Sequence, residues 1–221
     1  MKRSVFNRAL AALALGTAAA LPVHADVIDF ESAMPMLAFG GTIANVSGYE
    51  FASGGGTSFS GVDSATSFSA FGNAPANSAG QFLFALNNDS ITMTQGGAAF
   101  RLLGFDSAFI APVLFAQGTP AGRLLVEAMT VGGLITDEFD FGLSGTSGAW
   151  DFSTKNTNAM ASGVTSVTFT ACLYDGLGGC ARDIGLSQFA LDNFRVPEPA
   201  SAALTLAALG LLVATRRRQS R

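Results

Sequence analysis

The stretch Val164-Thr-Ser-Val-Thr-Phe-Thr-Ala171 decides the fold class of this chain. Taken alternately, its side chains fall into two sets, Val-Ser-Thr-Thr and Thr-Val-Phe-Ala. A period of two is typical of a β-strand, because successive side chains point to opposite faces of a sheet. β-Branched and aromatic residues also fit a half-buried strand. The stretch therefore predicts a strand with one face in a core.

Similar short runs, separated by turn residues, recur from residue 27 to residue 196, and none has the spacing of a long amphipathic helix. Two pairs of runs predict hairpins, about Asn87-Asn88-Asp89 and about Gly132-Gly133. Short strands at this spacing predict an all-β domain, a jelly-roll-like two-sheet β-sandwich. The predicted strands lie at residues 27–30, 81–86, 90–94, 100–110, 122–131, 134–141, 150–153, 164–171 and 187–196.

Phenylalanines of these strands should fill the space between the two sheets, since large apolar side chains gain most from burial. Residues 32–77 differ, because Gly, Ser, Ala and Asn dominate there and short strands are indicated only near 48–51 and 57–60. We expect this segment to be loop-rich. The predicted core residues are Phe30, Phe82, Phe84, Phe105, Phe139, Phe141, Phe169, Phe189 and Phe194.

Residues 1–25 have the layout of a secretory signal peptide. Basic residues precede an apolar segment at residues 9–21, and Val23-His24-Ala25 supplies the small residues that signal peptidase requires. We expect a signal helix that signal peptidase removes by cutting after Ala25. The apolar segment is short and ends at Pro22, which disfavours a permanent membrane anchor.

Residues 196–221 combine three parts: Val196-Pro197-Glu198-Pro199, an apolar run at 200–215 and a basic tail at 216–221. A helix over the run would be about 24 Å long, against a hydrocarbon core of roughly 30 Å. Local thinning of the bilayer can close such a gap, so we expect a transmembrane helix. The arginines of the tail should stay in the cytoplasm, which places a domain at residues 26–195 outside.

This order of parts resembles the PEP-CTERM sorting signal of Gram-negative bacteria. Gln188-Phe189-Ala190-Leu191-Asp192, just before it, is similar to the QFxxD subgroup of those proteins. The resemblance implies that an exosortase, a membrane cysteine protease, recognises Pro197, Glu198 and Pro199 and cuts near them. It also implies transient insertion into the inner membrane and delivery to the cell surface or extracellular matrix. A plain C-terminal membrane anchor is the alternative.

Charge and composition limit the chemistry of the domain. Removing the seven basic residues of the two terminal segments from the 12 Lys and Arg leaves five, whereas 15 of the 16 acidic residues remain. Five positive and 15 negative charges give about −10, which repels nucleic acid. The single histidine, His24, lies in the signal peptide, so Ser-His-Asp and HExxH sites are excluded. We expect a protein that is not an enzyme and binds no nucleic acid.

Cys172 and Cys180 are the two cysteines of the chain. In an exported protein, a pair at this spacing predicts a disulfide bond. A redox or metal-binding pair is the alternative, but the spacing is not Cys-x-x-Cys and the domain has no histidine to complete a site.

The body loosely resembles the lectin-like or carbohydrate-binding β-sandwiches of other PEP-CTERM proteins, which open with Asp-Phe-Glu and close with Leu-Asp-Asn. Here these elements are Asp29-Phe30-Glu31 and Leu191-Asp192-Asn193. Terminal strands of a jelly roll are often neighbours, so Asp29, Glu31, Asp192 and Asn193 could meet. The sequence requires no cofactor, and Ca²⁺ is the one cofactor that these carboxylates and this amide would suit. Solvated acids that cap backbone N–H groups are the alternative.

The leading interpretation is a non-catalytic structural or binding role. A module that binds exopolysaccharide or another glycan would stack sugars on Trp150 and Tyr174, although core packing is favoured for Trp150. A glycoside hydrolase is the second alternative, and it would need two convergent carboxylates, drawn from Asp106, Glu127, Glu138 and Asp151. A group at Asp137, Glu138 and Asp140 fits a solvated edge better than a calcium site.

Overall fold

The structure of the chain, a computed structural model, describes residues 25–78, 80–157, 160, 163–177, 179–181 and 185–197. Within it, Val27–Val196 form one compact unit. The predicted signal helix and the predicted transmembrane helix lie outside the described residues. In the part of the chain that is described, no helix has the length and hydrophobicity needed to cross a membrane.

The described residues form two seven-stranded sheets. Their strands are β1 (Ala25–Ile28), β2 (Met36–Ala38), β3 (Gly41–Val46), β4 (Tyr49–Ser53), β5 (Phe59–Ser64), β6 (Gln81–Leu86), β7 (Ile91–Thr94), β8 (Gly104–Phe109), β9 (Gly122–Thr130), β10 (Gly133–Asp140), β11 (Ser153–Asn156), β12 (Ser166–Tyr174), β13 (Cys180–Ala181) and β14 (Phe189–Pro197). The first sheet has the order β11-β8-β14-β6-β5-β2, with β1 paired to β14, and the second has the order β10-β9-β12-β7-β4-β3, with β13 paired to β12. The predicted all-β, two-sheet sandwich is confirmed.

Aromatic rings fill the space between the sheets, and Phe194 of β14 lies at their centre. Its ring centroid is 5.9 Å from that of Phe30 and 6.0 Å from that of Phe105. On the side of the second sheet, Phe51 and Phe169 lie at 5.1 Å and 5.6 Å. Such pairs contribute about 0.5–1.5 kcal/mol each beyond the burial of their area. The ring of Phe194 therefore contacts aromatic rings on both sides of the core.

A bulge in β14 brings Phe194 into the core. Leu191 points inward, so strict alternation would place Phe194 on the outer face of the first sheet. The register with β8 shifts between Asp192 and Arg195, and Asn193 adopts a positive φ of 50°. One extra residue reverses the alternation, and asparagine tolerates this left-handed conformation better than most residues.

Eight of the nine phenylalanines predicted for the core are buried, and Phe139 is partly buried. The location of two of them differs from the prediction. Phe82 and Phe84 lie in a second apolar cluster with Phe68, not between the sheets. They alternate along β6 with Leu83 and Ala85, which do face the main core. Both faces of β6 are therefore covered.

The segment at residues 32–77 contains more sheet than predicted. Four strands, β2 to β5, fall within it, together with a 3₁₀ helix at Phe68–Ala70. Phe68 is fully buried against Phe82 and Phe84, with ring centroids at 5.4 Å and 4.9 Å. Because these contacts join residues distant in sequence, the local composition of the segment does not show them.

The predicted hairpin about Asn87-Asn88-Asp89 is wrong, although the turn and both strands exist. β6 pairs with β5 and β14 in the first sheet, whereas β7 pairs with β4 and β12 in the second. The turn, with positive φ at Asn87 and Asn88, therefore carries the chain from one sheet to the other. The predicted β9–β10 hairpin is confirmed, with Gly133 opposite Thr130, as is the Cys172–Cys180 disulfide.

Asp89 fixes this crossing through hydrogen bonds to both sheets. Its Oδ2 accepts from the hydroxyls of Ser53 in β4 and Ser60 in β5, both at 2.5 Å. Its Oδ1 accepts from the backbone N–H of Gly55 at 3.1 Å and of Ser90 at 2.8 Å. Asp89 is only 3% exposed, and a buried carboxylate is tolerated when donors satisfy it in this way.

Replacing Asp89 with alanine should destabilise the domain by about 3 kcal/mol, because two buried hydroxyls and two N–H groups lose their acceptor. Urea unfolding of residues 26–197 measures this. Asp151→Ala, which removes an exposed acid, is the control and should change stability by less than about 0.5 kcal/mol. Equal effects of the two substitutions would contradict the role given to Asp89.

Candidate functional site

The outer face of the second sheet carries a group of interacting side chains, here named the Tyr174 cluster: Arg123, Glu138, Asp140 and Tyr174. Arg123 lies in β9 directly opposite Asp140 in β10. Because Leu124 points into the core, alternation places Arg123 on the outer face. Tyr174 is the last residue of the neighbouring strand β12. It comes two residues after Cys172, which lies opposite Arg123.

The Tyr174 cluster is held together by hydrogen bonds and ion pairs. The Tyr174 hydroxyl donates to Asp140 Oδ1 at 2.5 Å, and Arg123 Nε donates to the same oxygen at 2.9 Å. Arg123 Nη1 donates to Glu138 Oε2 at 3.1 Å. The Arg123 guanidinium also lies 5.6 Å from the centre of the Tyr174 ring, within the range of a cation–π contact. The half-buried ring is therefore fixed in orientation.

These contacts shift the pKa values of Asp140 and Tyr174. The hydrogen bond from Tyr174, and then that from Arg123, lowers the pKa of the Asp140 carboxyl. Burial, followed by the bond to Asp140, raises the pKa of the Tyr174 hydroxyl. At neutral pH the carboxylate accepts and the phenol donates, so the pair has one stable hydrogen-bonded arrangement.

The disulfide supports the Tyr174 cluster from the adjacent strand. Cys180 of β13 lies opposite Tyr174, and the Tyr174 N–H donates to the Ala121 carbonyl at 3.1 Å. In the connection between β12 and β13, the Asp175 carboxylate accepts from the N–H groups of Leu177 and Gly179 at 2.7 and 2.9 Å. A covalent bond and several hydrogen bonds thus restrain the backbone beside the ring.

Trp150 packs in the core, as the sequence favoured, and does not have the ligand-stacking role that was the other possibility for it. Its side chain is 1% exposed, and its ring packs edge-on against Phe109 at 4.9 Å and Phe115 at 5.5 Å. Its indole N–H donates to the Gly142 carbonyl at 3.2 Å. A buried ring whose polar atom is hydrogen-bonded offers nothing to a ligand, so Tyr174 alone of the pair has accessible ring surface.

Of the residues predicted to bind calcium, Asp192 and Asn193 lie in β14, whereas Asp29 and Glu31 follow β1, the strand that pairs with β14. Asp192 lies opposite Asp106, while Asn193 Nδ2 donates to Asp106 Oδ2 at 2.9 Å. Glu31 Oε1 accepts from the Gln81 N–H at 3.1 Å, which is the N–H-capping alternative. Among the described residues, no group of three or more His, Cys, Asp or Glu side chains could hold a metal ion. Calcium binding therefore stays a prediction.

Asp192 is nevertheless electrostatically unusual. Burial raises its pKa to about 7, and the negative charges of Asp106, Glu31 and Asp29 contribute in the same direction. Only the hydrogen bond from the Asn193 N–H, at 2.8 Å, opposes this shift. The carboxylates are thus close enough to repel one another, although they do not form a ligand set.

The acids considered for glycoside hydrolysis are divided between the two faces of the sandwich. Asp106 lies on the outer face of the first sheet, where its carboxylate accepts from Thr154 at 2.7 Å and from Asn193. Glu127 and Glu138 lie on the outer face of the second sheet, since their neighbours Val126 and Phe139 face the core. Asp106 cannot share a cleft with either of these acids, because both sheets separate them.

The QFxxD and sorting segments begin inside the fold. Phe189, Leu191 and Val196 of β14 are buried in the main core, and Pro197 is the last residue of that strand. Glu198 and Pro199, predicted as recognition residues, lie outside the described residues. Ala25, the predicted cleavage site of signal peptidase, is the first residue of β1.

Arg123 is the member of the Tyr174 cluster that sequence reasoning missed. Its partners Glu138, Asp140 and Tyr174 lie 15, 17 and 51 residues further along the chain. Alternation in the predicted β9 strand does place Arg123 on the polar face. The register of β9 against β10 and β12 is what brings the partners to it.

Comparison with known proteins identifies the C-terminal segment. Residues 195–219 match the family described as PEP-CTERM protein-sorting motif. No curated protein has a sequence that matches this chain significantly. The chain therefore carries a PEP-CTERM sorting motif, and the match to it begins within β14.

Solved structures similar to the domain include carbohydrate-binding modules. One is a structure of the CBM22-1 and GH10 modules of the Clostridium thermocellum endo-1,4-beta-D-xylanase 10B complexed with xylohexaose. It has 11% sequence identity and a TM-score of 0.39, and the alignment covers 80% of this chain and 28% of the xylanase chain. TmCBM61 in complex with beta-1,4-galactotriose has 13% identity and a TM-score of 0.38, covering 76% and 92% of the two chains. A mutant of the family 29 module CBM29-2 has 8% identity and a TM-score of 0.31, covering 74% and 92%. The similarity concerns the β-sandwich alone.

The pKa of Asp192 predicts a pH-dependent stability. The folded carboxyl holds its proton up to about pH 7, whereas its ordinary value is 3.8. The unfolded chain therefore binds fewer protons between these values, and stability from this group falls as pH rises from about 4 to about 7. Asp192→Asn should remove this fall, stabilising the domain at pH 8 by on the order of 2 kcal/mol, after allowance for partial solvent exposure.

Thermal melting of residues 26–197 at pH 5 and pH 8, with EDTA present, measures this effect. Asp151→Asn, at an exposed position, is the matched control and should melt like the unsubstituted domain at both pH values. The same pH dependence in the Asp192→Asn protein and in the control would show that Asp192 does not have the raised pKa.

Proposed function

We propose that this chain is the precursor of an exported protein that an exosortase processes at its C-terminus, leaving the β-sandwich at the cell surface or in the extracellular matrix. The match of residues 195–219 to the PEP-CTERM sorting motif carries this proposal. That motif implies export, exosortase processing and sorting to the cell surface. The precursor is then held for a time in the inner membrane, where residues 200–215 are inserted with the arginines on the cytoplasmic side.

We further propose that the mature sandwich has a structural or binding role and is not an enzyme. Several of its connections cross from one sheet to the other, as from β6 to β7 and from β8 to β9, which supports the narrower jelly-roll assignment. The absence of histidine from residues 26–195 and the separation of Asp106 from Glu127 and Glu138 disfavour the hydrolytic alternatives.

The processing hypothesis predicts a shortened C-terminus. Intact mass of the protein recovered from the surface of its native host should show loss of the segment after the sorting motif, because the protease cuts near Pro-Glu-Pro. Glu198→Ala should leave a larger share of the protein ending at Arg221. Glu127→Ala, which removes an exposed acid of β9, is the control and should be processed normally. Unsubstituted surface protein that still ends at Arg221 would refute processing.

A second candidate is glycan binding on the outer face of the second sheet, and the Tyr174 cluster is the observation that favours it. A partly exposed ring, fixed by Arg123 and Asp140, provides a platform for the apolar face of a sugar. Carboxylates of Glu138 and Asp140, with side chains 58% and 63% exposed, can accept from sugar hydroxyls. The negative charge of the domain favours neutral or positively charged glycans over polyanions.

A glycan array probed with residues 26–197, with and without EDTA, tests this candidate. Tyr174→Ala should reduce binding of any neutral or amino-sugar glycan about tenfold or more, since stacking supplies much of the affinity for such ligands. Leu177→Ala, a change at a side chain that is 93% exposed in the adjacent connection, should retain binding. No binding in either buffer would eliminate the glycan-binding hypothesis, and loss of binding only with EDTA would point to calcium dependence.

A further inference from the structure

One side of the sandwich exposes an apolar surface along β2. This strand is the last one of the first sheet and, among the described strands, it pairs only with β5. Five large apolar side chains are exposed there and are here named the β2 edge: Met34 (83% exposed), Met36 (40%), Leu37 (42%), Phe39 (66%) and Phe71 (37%). Four of them fall within six consecutive residues of the chain.

Leu37 of the β2 edge lies on the outer face of the first sheet. It is directly opposite Gly61 of β5, and a Cβ atom at Gly61 would come within 2.8 Å of the Phe84 ring. Residues opposite each other in a pair of strands point to the same face. Leu37 therefore shares its face with Phe84, which belongs to the apolar cluster outside the main core.

Ring contacts hold the two exposed phenylalanines of the β2 edge in place. The ring centroid of Phe39 is 5.5 Å from that of Phe59, and the latter is 6.0 Å from that of Phe71. Both Phe59 and Phe71 pack against the buried ring of Phe84, at 6.5 and 6.2 Å. The exposed rings are thus the rim of a packed cluster and present a preformed surface.

The two edge strands on this side of the sandwich carry no charge. β2 and β3 end the two sheets here and contact each other, and residues 32–49, which contain both strands, include no Asp, Glu, Lys or Arg. On the opposite side, β10 carries Asp137, Glu138 and Asp140, and β11 carries Lys155. Charges on an edge strand are a common protection against pairing with another chain. The side with β2 lacks this protection.

The acids of the adjoining segments are engaged within the domain. Glu31 accepts from the Gln81 N–H at 3.1 Å, and Glu50 of β4 accepts from the Thr42 hydroxyl at 2.6 Å. Asp63 of β5 is buried, with 8% exposed. A domain of about −10 charge can therefore bring this side against another copy without joining two acidic edge strands.

The size of the β2 edge suits a weak contact between copies. Its side chains expose roughly 500 Å² in total, if a large apolar side chain presents about 200 Å² when fully exposed. Two such surfaces together would bury roughly 1,000 Å², which is at the lower limit for a specific interface. An association at micromolar concentration is therefore expected, and not a permanent dimer.

We propose that the β2 edge is a self-association surface, at which two copies of the domain pack against each other about a two-fold axis. An apolar, uncharged patch is complementary to itself, as an interface with two-fold symmetry requires. The axis passes through the patch, so Leu37, in the middle of the segment 34–39, lies close to its own copy. Pro35 lacks an N–H and β2 has three residues, so side chains make most of the contact.

The proposal rests on the structural or binding role proposed for the mature sandwich and narrows it to one that joins copies. Each copy would keep the Tyr174 cluster free, because that cluster lies in β9, β10 and β12, away from the side with β2.

Sedimentation equilibrium of residues 26–197, which contain the compact unit, tests the proposal. We expect a monomer–dimer equilibrium with a Kd on the order of 20 µM. Phe39→Ser should raise this Kd about tenfold or more. Leu143→Ser is the matched control, since Leu143 is 63% exposed against 66% for Phe39 and follows β10. It should change the Kd by less than about twofold. If Phe39→Ser fails to fold, Leu37→Ser replaces it.

Salt and cross-linking give two further readouts. High salt should lower the Kd about threefold, because screening weakens the repulsion between two acidic domains. The two native cysteines form a disulfide, so Leu37→Cys introduces one free thiol. Oxidation should cross-link this variant about tenfold faster than Leu143→Cys, since association holds the introduced thiols near each other.

Each outcome decides the proposal. A dimer that Phe39→Ser weakens and the control does not, with faster cross-linking at position 37, supports it. A monomer at every concentration, or equal cross-linking at positions 37 and 143, overturns it and leaves the sorting function standing. A dimer that Phe39→Ser weakens no more than Leu143→Ser, or that salt weakens, places the contact elsewhere and overturns it. A monomer that loses glycan binding on Phe39→Ser assigns the β2 edge to a sugar and also overturns it.

Discussion

The ring of Phe194 is the contact on which the rest of the structure depends. It touches Phe30 and Phe105 of the first sheet region and Phe51 and Phe169 of the second sheet. The bulge at Asn193 is what turns this ring inward. The match to the sorting motif begins at Arg195, the residue that follows Phe194 in β14. Fold and sorting are thereby joined in one strand.

The two ends of the sandwich have different chemistry because of this arrangement. Alignment by the ring pairs places the hydrogen-bonded Tyr174 cluster at the end of the sandwich opposite to the end where β14 finishes. The Asp89 carboxylate, shared by Ser53 and Ser60, holds the two sheets together at the same end as the Tyr174 cluster. The hydrogen bonds of Asp89 and the ring contacts of Phe194 thus fix the alignment of the two sheets at two different places.

Much of the fold could be predicted because β-sandwich strands carry a local signal. The alternation in residues 164–171 and the Gly132-Gly133 turn led to the right elements, because the side-chain period and the turn chemistry are set by neighbouring residues. The crossing at Asn87-Asn88-Asp89 could not be predicted in the same way. A turn that joins two sheets has the same residues as a hairpin turn, and only Ser53 and Ser60, which are distant in sequence, distinguish them.

The sequence by itself determined the destination of this protein and the limits of its chemistry. A sorting motif is a contiguous segment of the chain, and the lack of histidine in residues 26–195 is evident from the sequence itself. Tertiary structure alone decided that Trp150 is buried, that Arg123 meets Tyr174 and Asp140, and that the acids near Asp192 repel one another without forming a ligand set. These facts depend on strand register and on the packing of one sheet against the other. Both are set by contacts between residues far apart in the chain, which no local pattern records.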